Sequence, residues 1–179
     1  VAGIFLFLIS SGLFYKPDIS LTKMEELQLV HVTFIGDYSK TKAPMDKIYA
    51  DLEKEGIKTT RGFGFYYDNP QQVKREECRS VVGCILEKED TAKIDALRKK
   101  GFKVTTLQAS EVVKSEFPFK NPLSIIMGIM KVYPKLGAYL LQNKIDPKPI
   151  MELYDVPAKK IEYLLYKEIP DSFFEKLLK

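Results

Sequence analysis

The sequence predicts an α+β fold: a strand-helix-strand-strand unit used twice to build one antiparallel sheet, with a helix from each unit on one face, preceded by an N-terminal transmembrane helix. Three observations predict it. Short runs with strand-like patterning fall at 29–35, 61–67 and 78–86, and runs of similar length return in the same order at 111–117, 150–154 and 161–166. A helical apolar stripe stands after the first run of each set. The first fifteen residues carry no charge. An amphipathic helix and a half-apolar sheet each need a surface to cover, and packing one on the other satisfies both.

Val1 to Tyr15 is rich in Leu, Ile and Phe, and Lys16-Pro17-Asp18 stops the run. Fifteen helical residues reach about 22 Å, short of the ~30 Å hydrocarbon core of a bilayer. The chain begins with Val, so residues upstream would complete a span. A membrane anchor over 1–15 is the favoured expectation, against a cleaved signal peptide and a buried core helix. The signal peptide lacks a basic start and a small-x-small cleavage site. Lys16 and Lys23 favour a cytosolic placement of the folded domain. The expected organisation is an anchor at 1–15, a linker at 16–27, one folded domain at 28–170 and a short helix or tail at 171–179.

In the first unit Val30, Val32 and Phe34 share one side of a strand, with His31 and Thr33 on the other. Pro44 opens a helix carrying Met45, Ile48, Tyr49 and Leu52, which Gly56 closes. Arg61 to Tyr67 is a strand stopped by Asp68-Asn69-Pro70, and Cys78 to Leu86 is apolar on both faces, as a central strand would be. A connector helix capped by Asp90 and ended by Gly101 leads to an extended segment, Phe102 to Leu107. In the second unit Glu111 to Phe117 is a strand, and Asn121-Pro122 is a cap residue followed by Pro at the first helical position. The helix carries Ile126, Ile129, Met130, Tyr133, Leu136 and Leu140, with a kink expected at Pro134. Ile150 to Tyr154 and Ile161 to Tyr166 complete the unit.

Composition narrows the function classes. The excess of 28 basic over 24 acidic residues is small and the signs are interspersed, so direct nucleic-acid contact is not expected. Cys78 and Cys84 lie six residues apart on one predicted strand, ~20 Å at ~3.3 Å per residue. A disulfide needs Cα atoms within ~7 Å, so two reduced thiols are expected. The chain has one histidine, His31, and no nucleophile elbow or metal-ligand spacing, so no catalytic residue, metal or cofactor is assigned.

Phe34-Ile35-Gly36-Asp37-Tyr38 before a helix, Tyr66-Tyr67-Asp68-Asn69-Pro70 at a strand end and Met151-Glu152-Leu153-Tyr154 in a later strand resemble the GyrI-like domains of bacterial multidrug-sensing regulators. With Cys78-Arg79, Val82-Gly83, Ile85-Leu86, Gly101-Phe102-Lys103-Val104 and Phe117-Pro118 in the same order, the chain resembles a eukaryotic branch, the testis-expressed protein 264 family. That resemblance implies a single-pass endoplasmic-reticulum protein with a cytosolic GyrI-like domain, a non-enzymatic adaptor or autophagy receptor whose partners include Atg8-family proteins and an AAA-type ATPase. It also leaves two other readings open, a sensor or carrier of a lipophilic cation and a hydrolase of the same superfamily.

Two candidate sites emerge from the residues. Gly62, Gly64 and Tyr66 share one side of their strand, and Glu152 and Tyr154 share one side of theirs. Glycines leave room beside Tyr66 for a close approach, and an anionic Glu among Tyr rings suits a small hydrophobic cation. Against this, Glu152 would be a solvated strand residue and the glycines would mark a bulge. The second candidate is Phe174-x-x-Leu177, which has the spacing of an Atg8-interacting motif, a mode that needs an extended strand. An amphipathic helix capped by Asp171 fits the same residues.

Overall fold

A computed structural model describes residues 2–179. Helix α1 (Ala2–Ser10) leads to strands β1 (Ser20–Met24) and β2 (Leu27–Ile35), helix α2 (Lys42–Lys54), and strands β3 (Arg61–Tyr66) and β4 (Arg79–Leu86). Helix α3 (Ile94–Lys99) and strand β5 (Lys103–Leu107) connect to β6 (Ser110–Pro118), helix α4 (Pro122–Asn143), β7 (Ile150–Asp155) and β8 (Lys160–Tyr166), and α5 (Asp171–Leu177) comes last. The expected strands and the two long helices are all present, within a few residues of their predicted ends.

The eight strands form one sheet in the order β1-β6-β8-β7-β3-β4-β2-β5, every pair antiparallel. The halves β2-α2-β3-β4 and β6-α4-β7-β8 meet where β3 pairs with β7. The strand preceding each half is exchanged: β1 pairs with β6 of the second half, and β5 pairs with β2 of the first. Residues 16–27, expected as a linker, therefore contain an edge strand. Ser-Leu-Thr-Lys-Met has no apolar period, and its extension comes from backbone pairing with β6 rather than from burial.

Of the N-terminal run, nine residues form α1, and among the described residues no helix is long and apolar enough to cross a membrane. Residues 11–17 then lie against the domain. Asn121 Nδ2 donates to Ser11 Oγ at 3.0 Å, and Lys131 Nζ donates to the carbonyls of Gly12 (3.1 Å), Leu13 and Tyr15 (3.0 Å).

Local chemistry accounts for the long helix. Asn121 Oδ1 accepts from Ser124 N, Ser124 Oγ accepts from Asn121 N, and Pro122 occupies the first turn where an N–H is not needed. The helix continues through Pro134 to Asn143. Asp90 does not cap α3: it is buried in a 3-10 turn (Lys88–Lys93), where its carboxylate pairs with Lys93 Nζ at 2.7 Å. Asp171 likewise lies inside the first turn of α5, behind Pro170, and makes no cap hydrogen bond.

Helices α2 and α3 cover Val30, Cys84, Leu86 and Val104 with Ile48, Leu52 and Leu97. Helix α4 covers Val113, Phe117, Ile161, Tyr163 and Leu165 with Val132, Leu136 and Leu140. The opposite face gathers Leu29, Phe63, Phe65, Ile85, Met151, Leu153 and Leu164, and α5 packs Phe174 and Leu177 onto it. Helices were expected on one face; α5 is the exception, because a sheet apolar on both sides needs a second cover.

Candidate functional site

Helix α2 packs on β2 and β4, and α4 packs on β6 and β8, so the central pair β3–β7 lies between the two helices. The register places Gly62 opposite Tyr154, Gly64 opposite Glu152 and Tyr66 opposite Ile150. The period of two then brings Gly62, Gly64, Tyr66, Glu152 and Tyr154 to the helix-bearing side, while Phe63 and Phe65 join the other core. All five predicted residues thus meet in one place.

Glu152 is only 2% exposed. Tyr133 on α4 donates its hydroxyl to Glu152 Oε1 at 2.8 Å, and Tyr154 donates to Oε2 at 2.6 Å. The Tyr154 hydroxyl lies 3.5 Å from that of Tyr66, whose ring stands edge-on to Tyr38 at 4.8 Å. Tyr163, paired opposite Glu152 on β8, is fully buried with no hydrogen-bond partner for its hydroxyl among the described residues, and its ring packs edge-on against Tyr133 at 5.8 Å. Burial pushes the Glu152 carboxyl above its usual range, and the two phenol hydrogen bonds pull the other way more weakly. Burial also raises the Tyr133 and Tyr154 phenols, with the neighbouring carboxylate adding to it.

The glycines do not leave open space. A Cβ on Gly64 would lie 2.9 Å from the Tyr66 ring, which folds back over it, and one on Gly62 would lie 2.9 Å from the Tyr49 hydroxyl and 3.0 Å from Met45 Sδ. The chain's own side chains fill the room expected for a ligand. Two surface depressions of about 530 and 1020 Å3 lie around Asp37 and Arg75, and around Arg61 and Glu87; neither is lined by Glu152 or its tyrosines. The carboxylate is enclosed.

Sequence reasoning missed Tyr133 and Tyr163 as site residues. Tyr133 was legible only as part of a helical stripe, seven residues after Ile126, and Tyr163 only as a strand residue on the same face as Ile161. A paired position across strands is invisible until the register is known.

The remaining candidates lie elsewhere in the fold. Phe174 and Leu177 are each 2% exposed inside α5, where Tyr67 donates to Phe174 O at 2.8 Å, so the motif is helical and buried rather than extended and free. In the Tyr66-Tyr67-Asp68-Asn69-Pro70 turn, Asp68 takes a bidentate contact from Arg79 (2.7 and 3.0 Å), and the Tyr38 hydroxyl bridges Asp68 N and Arg79 O. His31 is buried on β2 with Nε2 3.0 Å from Thr105 Oγ1, and burial first, then Lys103, lowers its pKa to about 4. Cys78 and Cys84 are free and buried.

The model of the GyrI-like small molecule binding domain matches residues 17–167. The chain belongs to the GyrI-like family. Human testis-expressed protein 264 is 37% identical to it over 99 residues, 52% of this chain and 32% of that protein, so the match spans about a third of the relative's length. Among solved structures, the cryo-EM structure of the EcmrR–DNA complex superposes with a TM-score of 0.61 at 13% identity, over 93% of this chain and 62% of the other. A hydrolase from Listeria innocua reaches 0.52 at 15% identity, over 89% and 97%. At these identities the structural likeness is one of fold. Within the GyrI-like fold, the buried Glu152 and its four tyrosines occupy the seam between the two halves.

Proposed function

We propose that this chain is a non-enzymatic binding protein whose GyrI-like domain takes up a small lipophilic cation between α2 and α4, with Glu152 as the counter-charge. One observation carries the reading: among the described residues, Glu152 is met by two phenol hydroxyls and by no cationic side chain. Ionising a carboxyl in that setting costs several kcal/mol unless a cation joins it. The rings of Tyr66, Tyr133, Tyr154 and Tyr163 supply faces and edges on which an aromatic cation can stack. Because the carboxyl is enclosed, entry requires the Tyr133 and Tyr154 phenols that hold it to give way. A calorimetric titration with lipophilic cationic dyes tests this. Glu152→Gln should keep the fold and weaken binding about 10- to 150-fold, the equivalent of ~1.5–3 kcal/mol for a charge-assisted contact. Equal binding by both proteins, or none by the wild type, overturns it.

A second reading is favoured by the apolar start. We propose that the domain is tethered to the endoplasmic-reticulum membrane through the N-terminal run and acts as an adaptor facing the cytosol. Supporting it are the uncharged residues 1–15, the exposure of Phe7 and Ile9 on α1, and the stretch shared with testis-expressed protein 264. Carbonate extraction of membranes from cells expressing the full-length protein tests it: Leu6→Asp with Leu8→Asp should release the protein. A wild-type protein extracted into the supernatant would refute the tether.

A further inference from the structure

We infer that α4 and the segment before β1 form one lipid-facing surface, so that the domain lies on an anionic bilayer instead of hanging from a flexible stalk. The inference rests on the tethering reading and adds the orientation of the domain. Ile126, Ile129 and Met130 are 54%, 41% and 68% exposed, and Leu141 further along α4 is 84% exposed. Ile126, Ile129 and Met130 share a stripe at i, i+3 and i+4, the spacing of an apolar helix face left without a partner.

Charge identifies the occupant. Residues 117–145 and 1–17 contain no Asp or Glu and are the two longest such stretches in the sequence. The same stretches hold Lys16, Lys120, Lys131, Lys135 and Lys144. A protein partner with a mixed surface would not require two separated segments both to be free of carboxylates; a sheet of anionic headgroups would.

The two segments are also fixed to each other. The Ser11–Asn121 contact, the three carbonyls held by Lys131 and the Pro17 carbonyl held by Lys135 tie residues 11–17 along α4. Wherever α1 enters the membrane, the first turns of α4 stay within the reach of these hydrogen bonds. Exposed apolar residues on a helix held at a membrane exit, with Lys120 and Lys144 at its two ends, match the chemistry of an interfacial helix, with aliphatic side chains in the acyl boundary and ammonium groups among phosphates.

The chain has no tryptophan, so a single introduced one reports its own surroundings. The full chain carrying Met130→Trp is mixed with phosphatidylcholine vesicles, with and without phosphatidylserine, a fraction of their acyl chains brominated. Its emission should shift to the blue and be quenched, whereas Val156→Trp, exposed in the β7–β8 turn, should stay unquenched. Lys120→Gln should weaken association with phosphatidylserine vesicles by about fivefold, the effect of ~1 kcal/mol per surface lysine. Co-sedimentation with an unquenched Met130→Trp reporter would overturn the orientation and leave the tether standing. A chain that stays in the supernatant would overturn both.

Discussion

Burial of Glu152 couples folding to pH, and on the proposed cation-binding reading it couples ligand uptake to pH as well. The carboxyl titrates above the ordinary 4.5 because burial disfavours the anion. The folded state therefore binds a proton more tightly than the unfolded chain. The stability from this group is complete below pH ~4.5 and is lost as pH rises through the folded value. Urea titrations across that window should show wild type losing stability with rising pH and Glu152→Gln losing less. Uptake of a lipophilic cation should run the other way, strengthening as the carboxyl ionises, with a proton released on binding when the site starts protonated. The neighbouring contact between helix and sheet is equally specific. A Cβ on Gly128 would lie 2.3 Å from the Tyr163 hydroxyl, so Gly128→Ala should cost about 1–3 kcal/mol by overpacking. Tyr163→Phe removes a buried hydroxyl that has no partner among the described residues and should be neutral or slightly stabilising. In the double mutant most of the loss should be recovered, a coupling that chemical denaturation of the four proteins would measure.

Among the elements, α5 shows how one stretch of sequence supports two readings until its surroundings are known. Phe174-x-x-Leu177 fits both a peptide motif and an amphipathic helix, because an i, i+3 pair can lie on one helix face or occupy two pockets of a groove. The apolar face of the sheet decides between them. It holds Phe65 edge-on to Phe174 at 5.5 Å, and Tyr67 and Thr33 donate to the carbonyls of α5 and the residue after it. Phe174→Ala should lower stability by about 3–5 kcal/mol and Leu177→Ala by about 2–5 kcal/mol in urea. Unchanged stability in both would mean the helix is not part of the core. The start of α4, by contrast, was legible from Asn121-Pro122 alone, because a cap residue and a first-turn Pro act within a few residues. Strand β1 was not, since an edge strand with polar and apolar residues in no order is held by its backbone.

For the molecule as a whole, the central pair β3–β7 makes the sheet one unit, and Cys84 on β4 reports on that unit. It is fully buried, and burial raises its thiol to about 12. Alkylation of Cys84 should therefore track global unfolding, with its denaturant dependence matching that seen by circular dichroism. Reaction in the native state at the rate of a free thiol would place β4 outside the cooperative unit.

Apolar periodicity and turn residues by themselves determined the two strand-helix-strand-strand units, the faces of the strands, the free thiols and the position of Glu152 beside Tyr154. These depend on neighbours along the chain, where 2.0 and 3.6 residue periods are visible. The exchange of β1 and β5 between the halves, the closure of Tyr66 over Gly64, and the arrival of Tyr133 from α4 at Glu152 Oε1 were decided by tertiary structure. The first and the last depend on residues brought together from separate elements, and the Tyr66 ring that folds over Gly64 within β3 packs against Tyr38 from outside that strand. Tyr133 and Glu152 are 19 residues apart in sequence, and only the register of β7 with β3, together with the packing of α4 on β6 and β8, sets one phenol against one carboxylate.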